Sequence, residues 1–273
     1  MAIPTRAIAP VPAAPVNQTT KKVVFGSIEQ PKGQRVLLYG TGGIGKTTLA
    51  CQAPGPVAFI DADESLSILR GQLKEQNIKL PYPVNCSDWK SAREAVQSDG
   101  WDGIKTIVID TATKLEELAV AHTLKTVKKE GGTMASSVED YGYGKGYSFV
   151  FDTFLTILGD LDRHVRAGRN VILIAHDCTS NVPNPNGEDW IRYEPRLQSP
   201  NSGKASIRHR LKEWCDHVLF LGYDVAVDDG KAKGSGTRTL YTAERPTFMA
   251  KSRTTGENFD VVLGNEIWSN ILK

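Results

Sequence analysis

A short apolar run that breaks into glycine, RVLLYGTGGIGKTTLA at 35–50, restricts what this chain can fold into more than any other stretch. Residues 40–47 satisfy GxxxxGK[ST], with apolar, β-branched sequence before them and helix-forming sequence after them. Such a turn needs glycine so that successive backbone N–H groups can wrap a phosphate without Cβ clashes, and the helix that follows turns its positive dipole end to the same anion. Gly40, Thr41, Gly42, Gly43, Ile44, Gly45, Lys46, Thr47 and Thr48 are therefore the expected nucleotide-binding set. Lys46 is placed to meet the β- and γ-phosphate oxygens and the Thr47 hydroxyl to ligate Mg²⁺, with ATP as the expected nucleotide.

The rest of the chain supplies the sheet that such a loop requires. Apolar runs at 36–39, 57–61, 106–110, 170–175 and 217–222 read as strands covered on both faces by helices. Between them, a helix is expected from an N-cap at Ser87, burying Trp89, Ala92 and Val96. A longer one is expected over about Tyr147 to Ala167, with Val150, Phe154, Leu158, Leu161 and Val165 on one side. Strand–helix alternation implies an α/β, doubly wound, mostly parallel sheet. At 273 residues one large domain suffices, and residues 21–273 are assigned to it. Residues 1–20 carry four prolines and no continuous apolar core, so they read as a disordered Pro/Ala-rich arm, not as a secretory signal.

Composition excludes some functions. No apolar run is long enough to span a membrane, and the net charge of +2 gives no global attraction to polyanions, so any basic surface must be local. The four cysteines have no CxxC spacing and read as reduced thiols of a cytoplasmic protein.

A phosphate loop needs a second metal anchor at the end of a neighbouring strand. Asp110, closing TIVID, fits that place. Asp61, Asp63 and Glu64 in FIDADES follow the second strand, near the sheet edge where ligands sit. Either Asp63 or Glu64 could orient an attacking water, and the residues alone leave the choice open. Two stretches suit single-stranded nucleic acid. YGYGKGY puts Tyr141, Tyr143 and Lys145 on a glycine-rich segment, where aromatic faces stack on bases and a lysine meets phosphate. Residues 177–210 show little regular pattern, and Lys204, Arg208 and Arg210 make their second half basic.

Together, LLYGTGGIGKTTLA, FIDADESL, TIVIDTATKLEEL, SVEDYGYGKGYSFVFDTF, NVILIAHD, EDWIRYEPRLQ, LKEWCDHVLFLGYD and AKSRTTGENFDVVLG resemble the RecA-type core ATPases, and most closely the phage ATP-binding proteins of the Sak-type single-strand annealing group. The resemblance covers about residues 21–264. It implies a RecA-like P-loop core with a C-terminal β-hairpin, ATP hydrolysis stimulated by single-stranded DNA, and strand annealing in phage recombination. It also implies a homo-oligomer, ring or filament, with shared ATP sites in the host cytoplasm, alongside a single-strand DNA-binding protein. By the same resemblance the catalytic carboxylate falls at Asp63, where the family usually carries glutamate, and His176 falls at the γ-phosphate sensor. TFMAKSRTTG resembles the hairpin that such oligomers insert into a neighbour's site, making Lys251 and Arg253 fingers in trans. A nucleotide-gated interaction protein without turnover and a small-molecule kinase stand as the other readings.

Overall fold

A computed structural model of the chain describes residues 23, 25, 32–201, 204–228, 231–261 and 266–272; the arm expected over residues 1–20 lies outside the described residues. The compact core unit runs from Lys32 to Lys273. Its strands are β1 (Arg35–Gly40), β2 (Val57–Asp61), β3 (Tyr82–Asn85), β4 (Thr106–Asp110), β5 (Asn170–Val182), β6 (Trp190–Pro195), β7 (His217–Asp228), β8 (Lys231–Tyr241) and β9 (Phe259–Asp260). Its helices are α1 (Lys46–Cys51), α2 (Leu66–Glu75), α3 (Trp89–Gln97), α4 (Ala112–Thr126), α5 (Lys145–Arg166), α6 (Ile207–Trp214) and α7 (Ile267–Ile271).

The strand order is β3-β2-β4-β5-β1-β7-β8-β9, with β6 paired to the outer half of β5. Pairing is parallel from β3 across to β7, whereas β7–β8, β8–β9 and β5–β6 are antiparallel. The expected doubly wound sheet is therefore present, and β7–β8 is its C-terminal hairpin. Alternation along each strand sends side chains to opposite faces. Leu37, Tyr39, Ile107, Ile109, Val171 and Leu173 pack under α3, α4 and α5 with Trp89, Leu115, Phe154 and Leu161. Val36, Leu38, Val108, Ile172 and Ile174 pack on the other face under α1, α2 and α7 with Leu49, Leu73 and Trp268. The Trp268 indole N–H donates to the Leu49 carbonyl at 2.8 Å, which fixes the C-terminal helix on α1. Among the described residues no helix is long and apolar enough to cross a membrane.

Three local expectations are corrected. The N-cap of α3 is Asp88, one residue past Ser87; its carboxylate accepts the Ser91 N–H at 2.8 Å, and the Ser91 hydroxyl accepts from Asp88 N. Residues 177–210 are more regular than expected: β5 continues to Val182 and pairs with β6 over Trp190–Pro195, and Ser206 caps α6 by accepting the His209 N–H. Residues 247–251 form no hairpin; Phe248 bridges Tyr193 and Arg245, and Lys251 bridges Val218, so the segment is a strap across the sheet.

In YGYGKGY, Gly142 and Gly144 answer to left-handed backbone, φ 71° and 73°, and Gly146 to packing. A Cβ at Gly146 would lie 2.0 Å from the Val138 carbonyl oxygen, whereas one at Gly159, further along the same helix, meets nothing within 4 Å. Gly146→Ala should lower stability in urea unfolding by about 1–3 kcal/mol through overpacking. Gly159→Ala should raise it by roughly 0.5–1 kcal/mol, because the helix then loses less backbone freedom on folding. Equal effects of the two would contradict this packing.

Candidate active site

The parallel strands bring their C-terminal ends to one edge, and the phosphate loop closes over it. A Cβ at Gly40 would meet the Leu221 carbonyl oxygen at 2.3 Å, so the loop can leave β1 beside β7 only as glycine. Gly43 and Gly45 have φ of 75° and 102°, the left-handed region, and Gly45 stands at the N-cap of α1 without a side-chain cap. Lys46 is buried, and its ammonium donates to the carbonyls of Gly40 at 2.7 Å and Thr41 at 2.8 Å. Burial lowers its pKa, an effect opposed by the charges of Asp177 and Asp110.

At the foot of the loop the Thr47 hydroxyl donates to Asp110 Oδ2 at 2.8 Å. Ser65 Oγ reaches the same oxygen at 3.4 Å. Burial pushes the Asp110 carboxyl up to about 6; the Thr47 hydrogen bond works against this, and Asp63 and Asp61 add to it. Asp61 is committed elsewhere, accepting the Ser65 and Leu66 N–H groups at 3.0 and 3.1 Å to start α2. Asp63 faces the cleft and accepts from the Thr111 hydroxyl at 3.0 Å. Glu64 has a left-handed backbone, φ 53°, and lines a different cleft with Asp61 and Arg70. His176 lines the cleft across from Asp63, and its backbone N–H donates to Thr113 Oγ1 at 3.1 Å. Burial, and then the charge of Lys46, lowers its pKa, favouring the neutral imidazole.

One cleft of about 320 Å³ thus gathers Lys46, Thr47, Thr48, Asp63, Asp110 and His176. The donor set suits a hydrated divalent cation: one hydroxyl and one buried carboxylate oxygen, both hard ligands. Among the described residues no three His, Cys, Asp or Glu side chains are grouped to hold a metal, so phosphate and water would complete the shell. Arg238 joins the cleft unannounced by any motif, its guanidinium donating to the Ile44 carbonyl at 2.7 Å. Its signal lies in strand alternation. Arg238 sits two residues before Leu240, which is buried on the α1 face of the sheet, so it projects to the same side.

Other expected residues lie apart from this cleft. The Tyr141 hydroxyl donates to the carbonyls of Thr123 and Val127, and its ring packs edge-on against Phe149, so it is part of the fold. Tyr143 is fully exposed, and Lys145 pairs with Glu130. Lys204 and Arg210 are exposed, the latter 3.7 Å from Glu213. Arg208 is buried and cannot reach a nucleic-acid phosphate. It pairs with Glu194 and also donates to Ser180 Oγ at 3.0 Å and the Leu197 carbonyl at 3.2 Å. Burial opposes the Glu194 charge, but the Arg192 hydrogen bond and the Arg208 charge hold its carboxyl below the usual range. Lys251 points inward, its ammonium capping α6 through the carbonyls of Lys212 at 2.9 Å and Cys215 at 2.7 Å, which occupies the head expected to act as a finger. Arg253 is 60% exposed beside Asp216, where β7 begins, at the end of the sheet away from the phosphate loop.

A family model described as an AAA domain matches residues 32–254, nearly the whole described core. No curated protein matches the chain.

Two outcomes test this geometry. The Asp110 carboxyl, at about 6 in the fold against 3.8 ordinarily, binds its proton more tightly folded than unfolded. Its contribution to stability therefore grows as pH falls from above 6 towards 3.8 and is absent at higher pH, where burying the charge is a cost. In EDTA at pH 8, Asp110→Asn should exceed wild type by about 1–3 kcal/mol in urea unfolding, with the gap closing near pH 4. Arg208→Ala should lose about 3–5 kcal/mol, because the buried Glu194 carboxylate loses its buried arginine partner and keeps only the half-buried Arg192. An Arg208→Ala protein as stable as wild type would return this arginine to the surface.

Proposed function

The chain belongs to the AAA domain family, and we propose that it is an ATPase of RecA-like architecture that couples its nucleotide to single-stranded DNA. The observation that carries the hydrolase reading is the Thr47–Asp110 contact of 2.8 Å at the foot of a loop closed around Lys46, with Asp63 on the same cleft. In this reading the loop N–H groups and the N-terminus of α1 receive the β-phosphate. Lys46 exchanges its two carbonyls for β- and γ-phosphate oxygens, and Thr47 and Asp110 hold Mg²⁺, Asp110 through water. The ion, when bound, neutralises charge developing on the transferring phosphoryl group. Asp63 accepts a hydrogen bond from the attacking water, helped by the Thr111 hydroxyl that fixes its carboxylate. Placement favours Asp63 over Glu64, which opens on another cleft.

The DNA assignment rests on connectivity and exposure. β5 passes His176 beside the cleft and runs on as the hairpin with β6, so one strand joins the γ-phosphate position to an outer surface. Tyr143, Lys204 and Arg210 offer an exposed ring and two cations for stacking and phosphate contact. Annealing of complementary strands in phage recombination is the function this combination serves. Self-association into a ring or filament would bring Arg253 of one copy to the ATP site of the next, and Lys251 would support that strap, not reach across it.

ATP hydrolysis with and without single-stranded DNA tests the reading. Asp63→Asn should keep ATP binding and lose about 10²-fold or more in turnover, as expected for removing a general base. Lys46→Ala should lose binding. DNA should stimulate the wild type, and neutralising Lys204 and Arg210 together should flatten the salt dependence of DNA binding by about 0.7 in slope for each phosphate no longer neutralised. ATP binding without turnover under any condition would leave a nucleotide-gated interaction protein in its place.

A further inference from the structure

One contact on the phosphate loop comes from outside it. Arg238, on β8, donates from Nη1 to the Ile44 carbonyl at 2.7 Å. A Cβ on Gly45 would lie 2.6 Å from the same nitrogen, so the guanidinium rests on the bare side of the Ile44–Gly45 peptide. A Cβ on Gly42 or Gly43 would meet nothing within 4 Å, so the approach is particular to this peptide and not to the loop at large. The arginine is held on both sides. It pairs with Tyr223 on β7, and its carbonyl accepts the Val261 N–H at 2.8 Å.

Peptide geometry carries this contact across to the anion. The Ile44–Gly45 bond is trans, and in a planar trans peptide the carbonyl and the N–H point in opposite directions. Holding the Ile44 oxygen on Arg238 therefore turns the Gly45 N–H to the other side, away from the arginine. Among the described residues no acceptor takes that N–H. Gly45, with φ 102°, has no Cβ to resist rotation of the peptide before it. A rotated peptide would offer its oxygen to a phosphate in place of its N–H, and the two would repel.

We propose that Arg238 is a positioning residue for phosphate binding: it holds the Ile44 carbonyl so that the Gly45 N–H faces the anion. It acts through the loop backbone and touches no phosphate itself. The ligand is the polyphosphate chain of the proposed nucleotide, so the inference rests on that reading and adds the side chain that keeps the loop ready to bind. Without the arginine a smaller fraction of molecules holds the competent loop, and apparent affinity falls by that fraction.

Stopped-flow binding of an ATP with a fluorescent ribose label, and isothermal titration of inorganic tripolyphosphate, test this on the full chain; urea unfolding reports that each variant is folded. Arg238→Ala should weaken both ligands by roughly tenfold to a hundredfold, the scale of one hydrogen bond from a charged donor. The loss should appear as slower association with dissociation unchanged, because fewer molecules are ready to bind but the bound loop is the same. That slowing should persist in about 0.5 M NaCl, where steering by a free charge is screened. Arg238→Lys, which keeps a cationic donor for the Ile44 carbonyl, should recover most of the association rate. Arg238→Met, which keeps the packing of the stem, replaces the alanine variant if that one does not fold. Faster dissociation with association unchanged would make Arg238 a direct phosphate ligand and overturn the proposal, as would slowing that vanishes in high salt. If wild type binds neither ligand, the nucleotide site itself falls and this assignment with it; wild-type affinity in folded Arg238→Ala refutes the assignment alone.

Discussion

Everything at the active edge depends on a contact between groups 63 residues apart, the Thr47 hydroxyl on the Asp110 carboxylate. Asp110 ends β4 and Thr47 stands in α1, which follows β1, and these strands are not neighbours: β5 lies between β1 and β4. The gap is bridged because the loop after β1 turns back over the sheet edge before α1 begins, and α1 then lies on the face shared by Val108 and Ile172. The strand ends are held at one level by the register, in which Gly40 pairs with His176 and Asp110 with Ile174. A slip of one residue in either pairing would send alternate side chains to the wrong face and separate the hydroxyl from the carboxylate. Hydrophobic alternation in the central strands therefore sets polar geometry at their ends.

The same strands show why a basic stretch in sequence need not be a basic surface. Arg208 lies in a run of cations, yet α6 turns it under the hairpin, where Glu194, itself buried, receives it together with Arg192. The pair ties α6 to β6, so the hairpin that leaves the sheet beyond His176 is anchored by charge as well as by its ladder. Lys251 follows the same logic at the other end of α6, capping carbonyls that no further helical turn satisfies. Exposure is thus left to Lys204, Arg210 and Arg253, which no buried acid claims.

Local patterns made much of this legible in the sequence. Five central strands, the phosphate loop and the faces of α3 and α5 follow from runs, spacing and glycine placement, which depend only on neighbours along the chain. The polar contacts that close the cleft follow from pairings between distant segments. The position of Arg238 depends on β8 pairing with β7 in a register that a bulge shifts between Tyr223 and Val225. Asp63 and Glu64 line different clefts, and Glu64 has a left-handed backbone that no local pattern announces. The hairpin over 177–195 has no such local mark, because its strands are half-exposed and mixed in character, with neither a continuous apolar run nor clean alternation.

The electrostatics of the cleft then say what kind of ligand the fold favours. Burial acts against both of its central charges, lowering the pKa of Lys46 and pushing Asp110 up to about 6. The two lie close enough to feel one another, yet their mutual attraction does not cancel the desolvation of either. A monovalent anion would satisfy the lysine and leave the carboxylate uncompensated. A bare cation would do the reverse, and it would meet only one buried carboxylate and a hydroxyl. A polyphosphate carrying a divalent cation satisfies both at once, presenting oxyanions to Lys46 and positive charge to Asp110. Binding such a ligand would draw Asp110 to its ionised form and hold Lys46 in its charged one, so a polyphosphate and a divalent cation would be favoured together over either alone.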